Sequence, residues 1–303
     1  MTHGTLTLDA PAKVNLALSV GSPDPTTGMH PIVSWMVAID FHDTVRLIRD
    51  DGGHGSFAAS YADDAPRPES IDWAPEKDLA WRAWKALEQR VGRALPTMVV
   101  VEKRIPTGAG LGGGSSDAAT VLVGLDALWE LGLSTESLVE VSATLGSDVP
   151  FLVHAMRGEP SMVATGLGEA LRPARLTEAI AVVLVLPTCK CPTGPVYRAF
   201  DEMIEGETRA ADEAAVEAMI DRLPRGSVEG LFNDLAEPAM RAVPALRDAA
   251  AAMGAVIGDD RVRVTGSGST LFTVASSMDE AARLAEQLRR AGVTALATRT
   301  IMA

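Results

Sequence analysis

The glycine-rich segment at residues 106–117 limits the possible folds and functions of this chain more than any other part of the sequence. It reads Pro-Thr-Gly-Ala-Gly-Leu-Gly-Gly-Gly-Ser-Ser-Asp and lies between a short apolar run and an apolar helical pattern. Glycines allow positive φ angles and leave no side chains in the way of a ligand. The start of the following helix offers unpaired N–H groups and a partial charge of about +0.5. The segment therefore predicts a backbone site for a polyphosphate, to which Ser115 and Ser116 add hydroxyl groups.

Other kinds of glycine-rich turn fit this segment less well. A flexible loop or a plain helix cap needs fewer glycines. The Walker A pattern requires a lysine after its second glycine, and Gly114 stands at that position. The dinucleotide fingerprint fits Gly108, Gly110 and Gly113, but Pro106 disturbs its tight turn and the chain lacks the repeated βαβ alternation of that fold. A dinucleotide-dependent oxidoreductase stays an alternative, and it predicts a melting shift with a nicotinamide cofactor and none with Mg·ATP.

The charge balance restricts the ligands and the location that the sequence predicts. With 27 basic and 40 acidic residues the net charge is −13, which argues against nonspecific binding to nucleic acid or to an anionic membrane. Cys189 and Cys191 are too few for a secreted disulfide framework, so we expect a reducing cytoplasm, and metal binding by this pair lacks further soft ligands. The longest apolar stretch, residues 179–186, is too short to span a bilayer. Monomer and homodimer both stay open.

Hydrophobic periodicity predicts an α+β fold, because strands and helices alternate without the regular pattern of a doubly wound sheet. The length of 303 residues suggests about two domains, and a change in pattern near residue 160 divides the chain into 1–160 and 161–303. We expect residues 50–70 to form a loop or an irregular hairpin, the chain after Asp148 to turn to strands, and residues 232–234 to cap the helix that follows them. Strands are predicted at 5–20, 33–39, 44–48, 97–101, 179–186, 261–265, 271–275 and 294–301. Helices are predicted at 78–91, 116–131, 134–145, 194–204, 211–222, 235–253 and 278–291.

Residues 106–119, Pro-x-Gly-x-Gly-Leu-Gly-Gly-Gly-Ser-Ser-Asp-Ala-Ala, resemble the phosphate loop of the GHMP kinases, a family that includes galactokinase, homoserine kinase and mevalonate kinase. Further segments fit the family in the same order, so the resemblance runs from about residue 9 to residue 275. It implies the two-domain GHMP kinase architecture, with a ribosomal-S5-domain-2-like ATP-binding domain, a ferredoxin-like substrate-side domain and the active site between them. The further segments are residues 10–16, 146–151, 166–169, 232–234 and 265–269.

The same resemblance implies a reaction. The triple glycine followed by Ser-Ser-Asp-Ala-Ala looks like one branch of the family, in which Mg·ATP donates its γ-phosphate to the 2-hydroxyl of a cytidine-diphosphate-linked methylerythritol, on the non-mevalonate route to isoprenoids. Lys13 and Asp148 match the catalytic pair. Asp148 would accept the hydroxyl proton or orient the hydroxyl, and Lys13 would lower the pKa of that hydroxyl and neutralise the phosphoryl oxygens. The matching ATP-side residues, with Ser115 or Ser116 as candidate Mg²⁺ ligand, are Lys103, Pro106, Gly108, Gly110, Leu111, Gly112, Gly113, Gly114, Ser115 and Ser116.

The chain departs from the family at the cytidine end of the implied substrate site. The family pattern Asp-Gly-Tyr-His-Glu-Leu is Thr-Gly-Met-His-Pro-Ile here, so Met29 replaces an aromatic residue that stacks on the base. A thioether contacts a π face with less area and less geometric selection than an aromatic ring does. His30 keeps the base-reading position and Tyr197 the second stacking position. The implied substrate-side residues are Asn15, Met29, His30, Thr193, Tyr197, Gly266 and Ser267.

Because of Met29, two other functions within the family stay open. One is a kinase for a different small alcohol, such as a sugar, homoserine or a mevalonate-like compound. The other is a non-catalytic member that binds nucleotide, against which the presence of both Lys13 and Asp148 argues. A preference for an alcohol without cytidine would identify the kinase for a different alcohol. ATP binding without phosphoryl transfer would identify the non-catalytic member.

Overall fold

Two long antiparallel strands form the centre of the structure, a computed structural model that describes residues 4–50, 52–222 and 228–303. They are β1 (Thr5–Val20) and β2 (Ile32–Arg49), which pair along almost their whole length. From Ala10 onward every residue of β1 is buried, because other elements cover both faces of the strand. The pairing is irregular at two points, just after Pro11 and just after Asn15.

The strands belong to two sheets. In the described ranges seven strands form the first sheet, in the order β3-β4-β2-β1-β8 with β5 on β2 and β6 on β5, and four form the second, in the order β11-β7-β10-β9. By sheet membership residues 161–173 go with the first sheet, and the predicted division at residue 160 stays a prediction. The remaining strands are β3 (Ser56–Tyr61), β4 (Thr97–Lys103), β5 (Ser161–Thr165), β6 (Ala170–Pro173), β7 (Ala181–Val185), β8 (Phe232–Asn233), β9 (Arg263–Val264), β10 (Leu271–Ala275) and β11 (Ala295–Arg299).

Helices cover one face of each sheet, and the other two faces pack against each other. Helices α1 to α4 share a core cluster with the first sheet, while α5, α7, α8 and α9 share one with the second. A third cluster joins residues of β1 and β2 to Val182, Leu184 and Phe272 of the second sheet. The helices are α1 (Leu79–Val91), α2 (Gly113–Leu128), α3 (Thr135–Ser142), α4 (Val149–Met156), α5 (Thr193–Met203), α6 (Glu213–Arg222), α7 (Ala236–Ala242), α8 (Pro244–Ile257) and α9 (Met278–Arg290). Within the described residues no helix combines the length and the apolar character that crossing a bilayer requires.

The first irregularity of β1 directs Lys13 and Asn15 toward the helices. Ala10 packs in the cluster on the helix side of the first sheet, whereas Ala12 and Val14 pack in the cluster between the sheets. Side chains two residues apart on a regular strand share a face, so the alternation of faces changes at this point. As a result the polar side chains of β1 point to the side on which α2 begins.

Two strand predictions need correction. Residues 33–48 were expected to form two strands, but β2 is continuous, because β1 accompanies it past the expected turn and pairs Ala10 with Asp43. The segment at 50–70, expected as a loop or an irregular hairpin, contains β3, which pairs in parallel with β4 at the edge of the sheet. Its turn-forming residues lie on either side of this short, half-exposed strand.

Two helix predictions need correction as well. The chain after Asp148 continues as helix α4, where strands were expected. Residues 149–153 are buried without a break, so they show no helical periodicity, and Pro150 is compatible with the first turn of a helix. The helix predicted at 235–253 is divided into α7 and α8 at Val243, because Pro244 cannot continue the hydrogen-bond pattern of the preceding turn.

Candidate active site

Three glycines give the segment at residues 106–117, which we call the glycine loop, its shape. Gly108, Gly110 and Gly112 have φ angles of 70°, 78° and 70°, a left-handed conformation that other residues disfavour. Gly112 precedes α2, and no side chain caps the helix there. The first amides of α2 therefore have no acceptor within the helix and lie at its positive end. A Cβ on Gly110 would lie 2.5 Å from the carbonyl oxygen of Gly268, so the loop packs directly against the turn between β9 and β10.

A cavity of about 360 Å³, which we call the loop cavity, lies along the glycine loop. Trp73, Lys77 and Leu79, at and before the start of α1, also line it. Ser116 does not line the cavity, because α2 buries its side chain completely. The contact of Ser116 with phosphate or Mg²⁺ stays a prediction, and Ser115 is the one of the two serines that lines the cavity. The predicted ATP-side residues that line the cavity are Lys103, Pro106, Gly108, Gly110, Leu111, Gly112, Gly113, Gly114 and Ser115.

A second cavity, of about 530 Å³, is lined by every residue that was predicted to act in catalysis or to bind the substrate. We call it the cleft cavity. Its walls come from β1, from the connection between β1 and β2, from the starts of α4 and α5, and from the turn between β9 and β10. The structure thus brings together positions that are far apart in the sequence. The predicted residues that line it are Lys13, Asn15, Met29, His30, Asp148, Thr193, Tyr197, Gly266 and Ser267.

The ammonium group of Lys13 is the point at which four distant segments meet. Its Nζ lies 3.5 Å from Oδ2 of Asp148. A Cβ on Gly112 of the glycine loop would lie 3.1 Å from Cγ of Lys13. A Cβ on Gly266, in the turn between β9 and β10, would lie 3.6 Å from its Nζ. One cation therefore adjoins the phosphate-type loop and a carboxylate of the cleft cavity at the same time.

Asn15 holds Lys13 in this position. Its Oδ1 accepts a hydrogen bond of 2.9 Å from Nζ of Lys13, and its Nδ2 donates one of 2.8 Å to Oγ of Ser34. Its backbone N–H donates to Oγ1 of Thr265, 2.9 Å away. The amide thus links β1, β2 and the end of β9, which fixes the direction of the lysine side chain.

Asp148 is available to a ligand because it does not cap a helix. It occupies the position before α4, yet its side chain makes no capping hydrogen bond. Its side chain is 32% exposed, against 6% for that of Lys13. A carboxylate that faces a cavity beside one ammonium group can orient a hydroxyl and accept its proton.

His30 and Tyr197 form the aromatic part of the cleft cavity. Their ring centroids are 4.8 Å apart with the planes tilted by 42°. Nδ1 of His30 lies at a hydrogen-bonding distance of 3.0 Å from the carbonyl oxygen of Gly21, and Nε2 lies 3.4 Å from Oδ1 of Asp201. Burial raises the pKa of Tyr197, which keeps its hydroxyl protonated at neutral pH. Met29 is 52% exposed at the cavity wall, and the reading of a base by this group stays a prediction.

Lys103 has two carboxylate partners that the sequence did not indicate. Its Nζ lies 2.5 Å from an oxygen of Asp43 and 2.5 Å from an oxygen of Asp117, and all three side chains are buried. Asp43 also accepts the backbone N–H of Ile105, at 2.7 Å. Burial, with the neighbouring charge of Asp43, raises the pKa of Asp117 well above its usual range. The three residues, which we call the buried triad, fix the beginning of the glycine loop to the first turn of α2, and a contact between Lys103 and ATP stays a prediction.

Comparisons with known proteins agree with this arrangement. Two family models match the chain, GHMP kinases N terminal domain at residues 78–155 and GHMP kinases C terminal at residues 209–294. A Caulobacter vibrioides protein named 4-diphosphocytidyl-2-C-methyl-D-erythritol kinase is 36% identical over 297 residues, which cover 95% of both chains. The chain belongs to the GHMP kinase family. A Thermus thermophilus protein with the same name is 37% identical over 284 residues, covering 93% of this chain and 92% of that one.

Solved structures of GHMP kinases share the fold. A crystal structure of 4-(cytidine 5'-diphospho)-2C-methyl-D-erythritol kinase superposes with a TM-score of 0.77 at 30% identity and covers 98% of this chain and 100% of that chain. A mevalonate kinase superposes with a TM-score of 0.67 at 13% identity, which shows the common fold alone. The predicted two-domain GHMP kinase architecture is confirmed.

Asn233 is a residue of this GHMP kinase site whose position the sequence did not reveal. We expected residues 232–234 to cap a helix, and Oδ1 of Asn233 does accept the N–H of Leu235. Its Nδ2, however, donates bonds of 2.8 Å to the carbonyl oxygens of Val264 and Gly266. Asn233 therefore holds in place the turn that carries Gly266 into the cleft cavity. The fit of residues 232–234 to the family pattern was the available signal.

Proposed function

We propose that this chain transfers the γ-phosphate of ATP to the 2-hydroxyl group of 4-diphosphocytidyl-2-C-methyl-D-erythritol. Its family membership and the names of its relatives support the reaction class and the substrate. The observation that carries the proposal is the pair Lys13 and Asp148, 3.5 Å apart, beside the glycine loop and inside the cleft cavity. A phosphate donor in the loop cavity and an alcohol in the cleft cavity would meet at this pair.

Phosphoryl transfer requires in-line positioning and neighbouring cations more than covalent participation by the protein. The substrate hydroxyl would lie against Asp148, with the γ-phosphate next to Lys13. The hydroxyl oxygen forms a bond to the γ-phosphorus, the bond from that phosphorus to the bridging oxygen of ADP breaks, and the hydroxyl proton passes to Asp148. Aspartate is a weak base at neutral pH, so it accepts the proton late in a loose transition state. Lys13 neutralises the charge on the phosphoryl oxygens and lowers the pKa of the hydroxyl.

The glycine loop suits the polyphosphate of ATP. Side chains at Gly110 or Gly112 would occupy space that the loop needs for its contacts with Gly268 and Lys13, and the amides at the start of α2 supply donors without adding bulk. Magnesium in such sites is held mainly by the phosphates, and it neutralises their charge when bound. Ser115, which lines the loop cavity, is the side chain that would join those phosphates in holding the ion.

The cleft cavity suits the cytidine part of the substrate. Its volume of about 530 Å³ is typical of a site for a small molecule. The base would stack against Tyr197, with the flexible thioether of Met29 on its other side in place of a ring. Leu167 and Ile32, which also line the cavity, add apolar surface around the base.

A panel of alcohols tests the proposal. ADP release is measured with Mg·ATP and, in turn, 4-diphosphocytidyl-2-C-methyl-D-erythritol, a sugar, homoserine and mevalonate. We expect the highest kcat/KM with the cytidine-linked alcohol, because only this compound occupies the aromatic end of the cleft cavity. A reaction without any alcohol measures background hydrolysis of ATP.

The other outcomes identify the alternatives. A preference for an alcohol that lacks cytidine would assign the chain to another kinase of the family. ATP-dependent thermal stabilisation without phosphate on any alcohol would indicate a nucleotide-binding member that does not catalyse transfer. Either result contradicts the proposed function.

A further inference from the structure

A substrate linked through a diphosphate presents an electrostatic difficulty to this chain. The protein has a net charge of −13, and the diphosphate of such a substrate adds further negative charge inside the cleft cavity. The ammonium group of Lys13 already has Asp148 within 3.5 Å, and His30 faces Asp201 at 3.4 Å. The cation at the reacting end of the cavity is therefore matched by a carboxylate, and the middle of the substrate needs a further cation.

Arg198 is a cation of the cleft cavity that forms no ion pair within the described residues. It lines the cavity and is exposed to it, and in the described parts of the chain we find no carboxylate that forms an ion pair with its guanidinium group. Some other exposed arginines on the helices of this half of the molecule do have carboxylate partners. Arg247 lies 2.7 Å from Glu237, for example, and Arg241 lies 3.5 Å from Glu202.

Arg198 lies on the face of α5 that lines the cavity. Thr193, Gly194, Tyr197, Arg198 and Asp201 all line the cavity, and their spacing places them on one face of the helix. Long side chains on a helix extend toward its N-terminus. Nη1 of Arg198 accordingly lies 3.5 Å from the point that a Cβ of Gly194 would occupy, and the absence of a side chain at that position leaves room for the guanidinium group.

The neighbours of Arg198 define an order of groups along the cavity. Tyr197 and His30 form the aromatic end. Arg198 and Gly194 come next. Thr193 adjoins Gly194 on the first turn of α5, and its hydroxyl lies 3.5 Å from that of Ser267.

The turn that carries this serine leads on to the reacting end. Gly266 directly precedes Ser267 in the sequence, and a Cβ on Gly266 would lie 3.6 Å from Nζ of Lys13. The order is thus an aromatic group, an unmatched guanidinium, a pair of hydroxyls and the catalytic pair. A cytidine-diphosphate-linked alcohol has its base, its diphosphate and its reacting hydroxyl in the same order.

We propose that Arg198 binds the diphosphate of the substrate and so selects nucleotide-linked alcohols over simple ones. The inference rests on the proposed function. A guanidinium group offers parallel N–H donors that match two phosphate oxygens, and such charge-assisted bonds are among the strongest hydrogen bonds in proteins. Arg198 would thereby contribute to specificity without taking part in the transfer of the phosphoryl group.

The test compares ligands that differ only in their phosphates. Binding of cytidine, CMP and CDP is measured by calorimetry for the wild type, Arg198→Gln, Arg198→Lys and the control Arg247→Gln. The control makes the same change in net charge on an exposed helix outside the cavity, so it separates a local contact from the field of the whole protein. Melting temperatures of the unliganded variants check the fold.

We expect Arg198→Gln to weaken CDP about tenfold or more and to leave cytidine unchanged, since only the phosphates contact the guanidinium group. Arg198→Lys should lose part of that affinity, because an ammonium group keeps the charge without the paired donors. In turnover with the cytidine-linked alcohol, KM for the alcohol should rise in Arg198→Gln while kcat and KM for ATP stay within about twofold. If KM for ATP rises and KM for the alcohol does not, Arg198 contacts the phosphates of ATP, and the proposal is overturned.

Two further results would overturn it. One is wild-type affinity for CDP in Arg198→Gln, and the other is an equal loss in Arg247→Gln. Both leave the proposed kinase function standing if the wild type still prefers the cytidine-linked alcohol. A wild type that binds neither cytidine nor CDP would contradict the proposed function together with this assignment.

Discussion

The contact between the glycine loop and the turn that precedes β10 can be tested with one methyl group. Gly110 and Gly92 have similar left-handed backbones, with φ angles of 78° and 69°. A Cβ at Gly110 would lie 2.5 Å from the carbonyl oxygen of Gly268 and 3.1 Å from that of Thr265, whereas a Cβ at Gly92 would meet nothing within 4 Å. Gly110→Ala therefore adds steric overlap to the same conformational cost that Gly92→Ala carries alone.

The free energies of unfolding of the two variants should differ in a predictable way. An alanine in the left-handed region costs about 1–2 kcal/mol, and overlap in a packed site costs about 1–3 kcal/mol more. We thus expect a loss of about 1–2 kcal/mol for Gly92→Ala and about 2–5 kcal/mol for Gly110→Ala, measured by denaturant unfolding. Steady-state kinetics should show normal turnover for Gly92→Ala and a strong loss of kcat/KM for ATP in Gly110→Ala. Equal destabilisation by the two alanines, with normal kinetics in both, would refute the described contact.

Three further predictions concern residues that hold the site in place. Lys103→Met leaves Asp43 and Asp117 buried together without their cation, and chemical denaturation should show a loss of about 3–5 kcal/mol. Because burial raises the pKa of Asp117, the folded state holds that proton more tightly than the unfolded state does, so wild-type stability contributed by this group falls as the pH rises above about 4. Asp117→Asn should remove this dependence, and parallel stability–pH curves for the two proteins would contradict the prediction. Asn233→Ala leaves the carbonyl oxygen of Gly266 without its donor. We expect the free energy of unfolding to fall by about 1–3 kcal/mol in a melting experiment and KM for the cytidine-linked alcohol to rise. An unchanged KM would count against the positioning role of Asn233.

The parts of the fold that the sequence predicted well are those with a strong local signal. Strand β1 has its predicted bounds, and the strand at residues 271–275 does too, because β-branched and apolar residues in both end at clear turn signals. Helix α2 begins at Gly113, three residues before the predicted start, since glycines after a left-handed Gly112 already take helical angles. The helix at 149–156 escaped prediction because residues 149–153 are all buried and show no periodicity.

The candidate site divides in a similar way. Lys13, Asp148 and the glycine loop were predicted from short motifs, and the structure brings them together around one ammonium group. The partners of Lys103 were not predicted, because a buried triad joins β2, β4 and α2 and leaves no pattern within any one of them. Arg198 was missed for a related reason. Within the described residues its guanidinium group forms no ion pair with a carboxylate, which only the packing of the chain determines.

The central claim is that Lys13 and Asp148 act on the hydroxyl and the γ-phosphate at a single site. Its most direct test is the rate of phosphoryl transfer in a single turnover, with enzyme, 4-diphosphocytidyl-2-C-methyl-D-erythritol and Mg·ATP at saturating concentrations. Asp148→Asn is compared with Asp248→Asn, which makes the same change on an exposed part of α8. We predict a fall of about 10²- to 10⁴-fold in the transfer rate for Asp148→Asn, with normal binding of ATP, and no change for Asp248→Asn. Equal transfer rates in the wild type and in Asp148→Asn would contradict the claim.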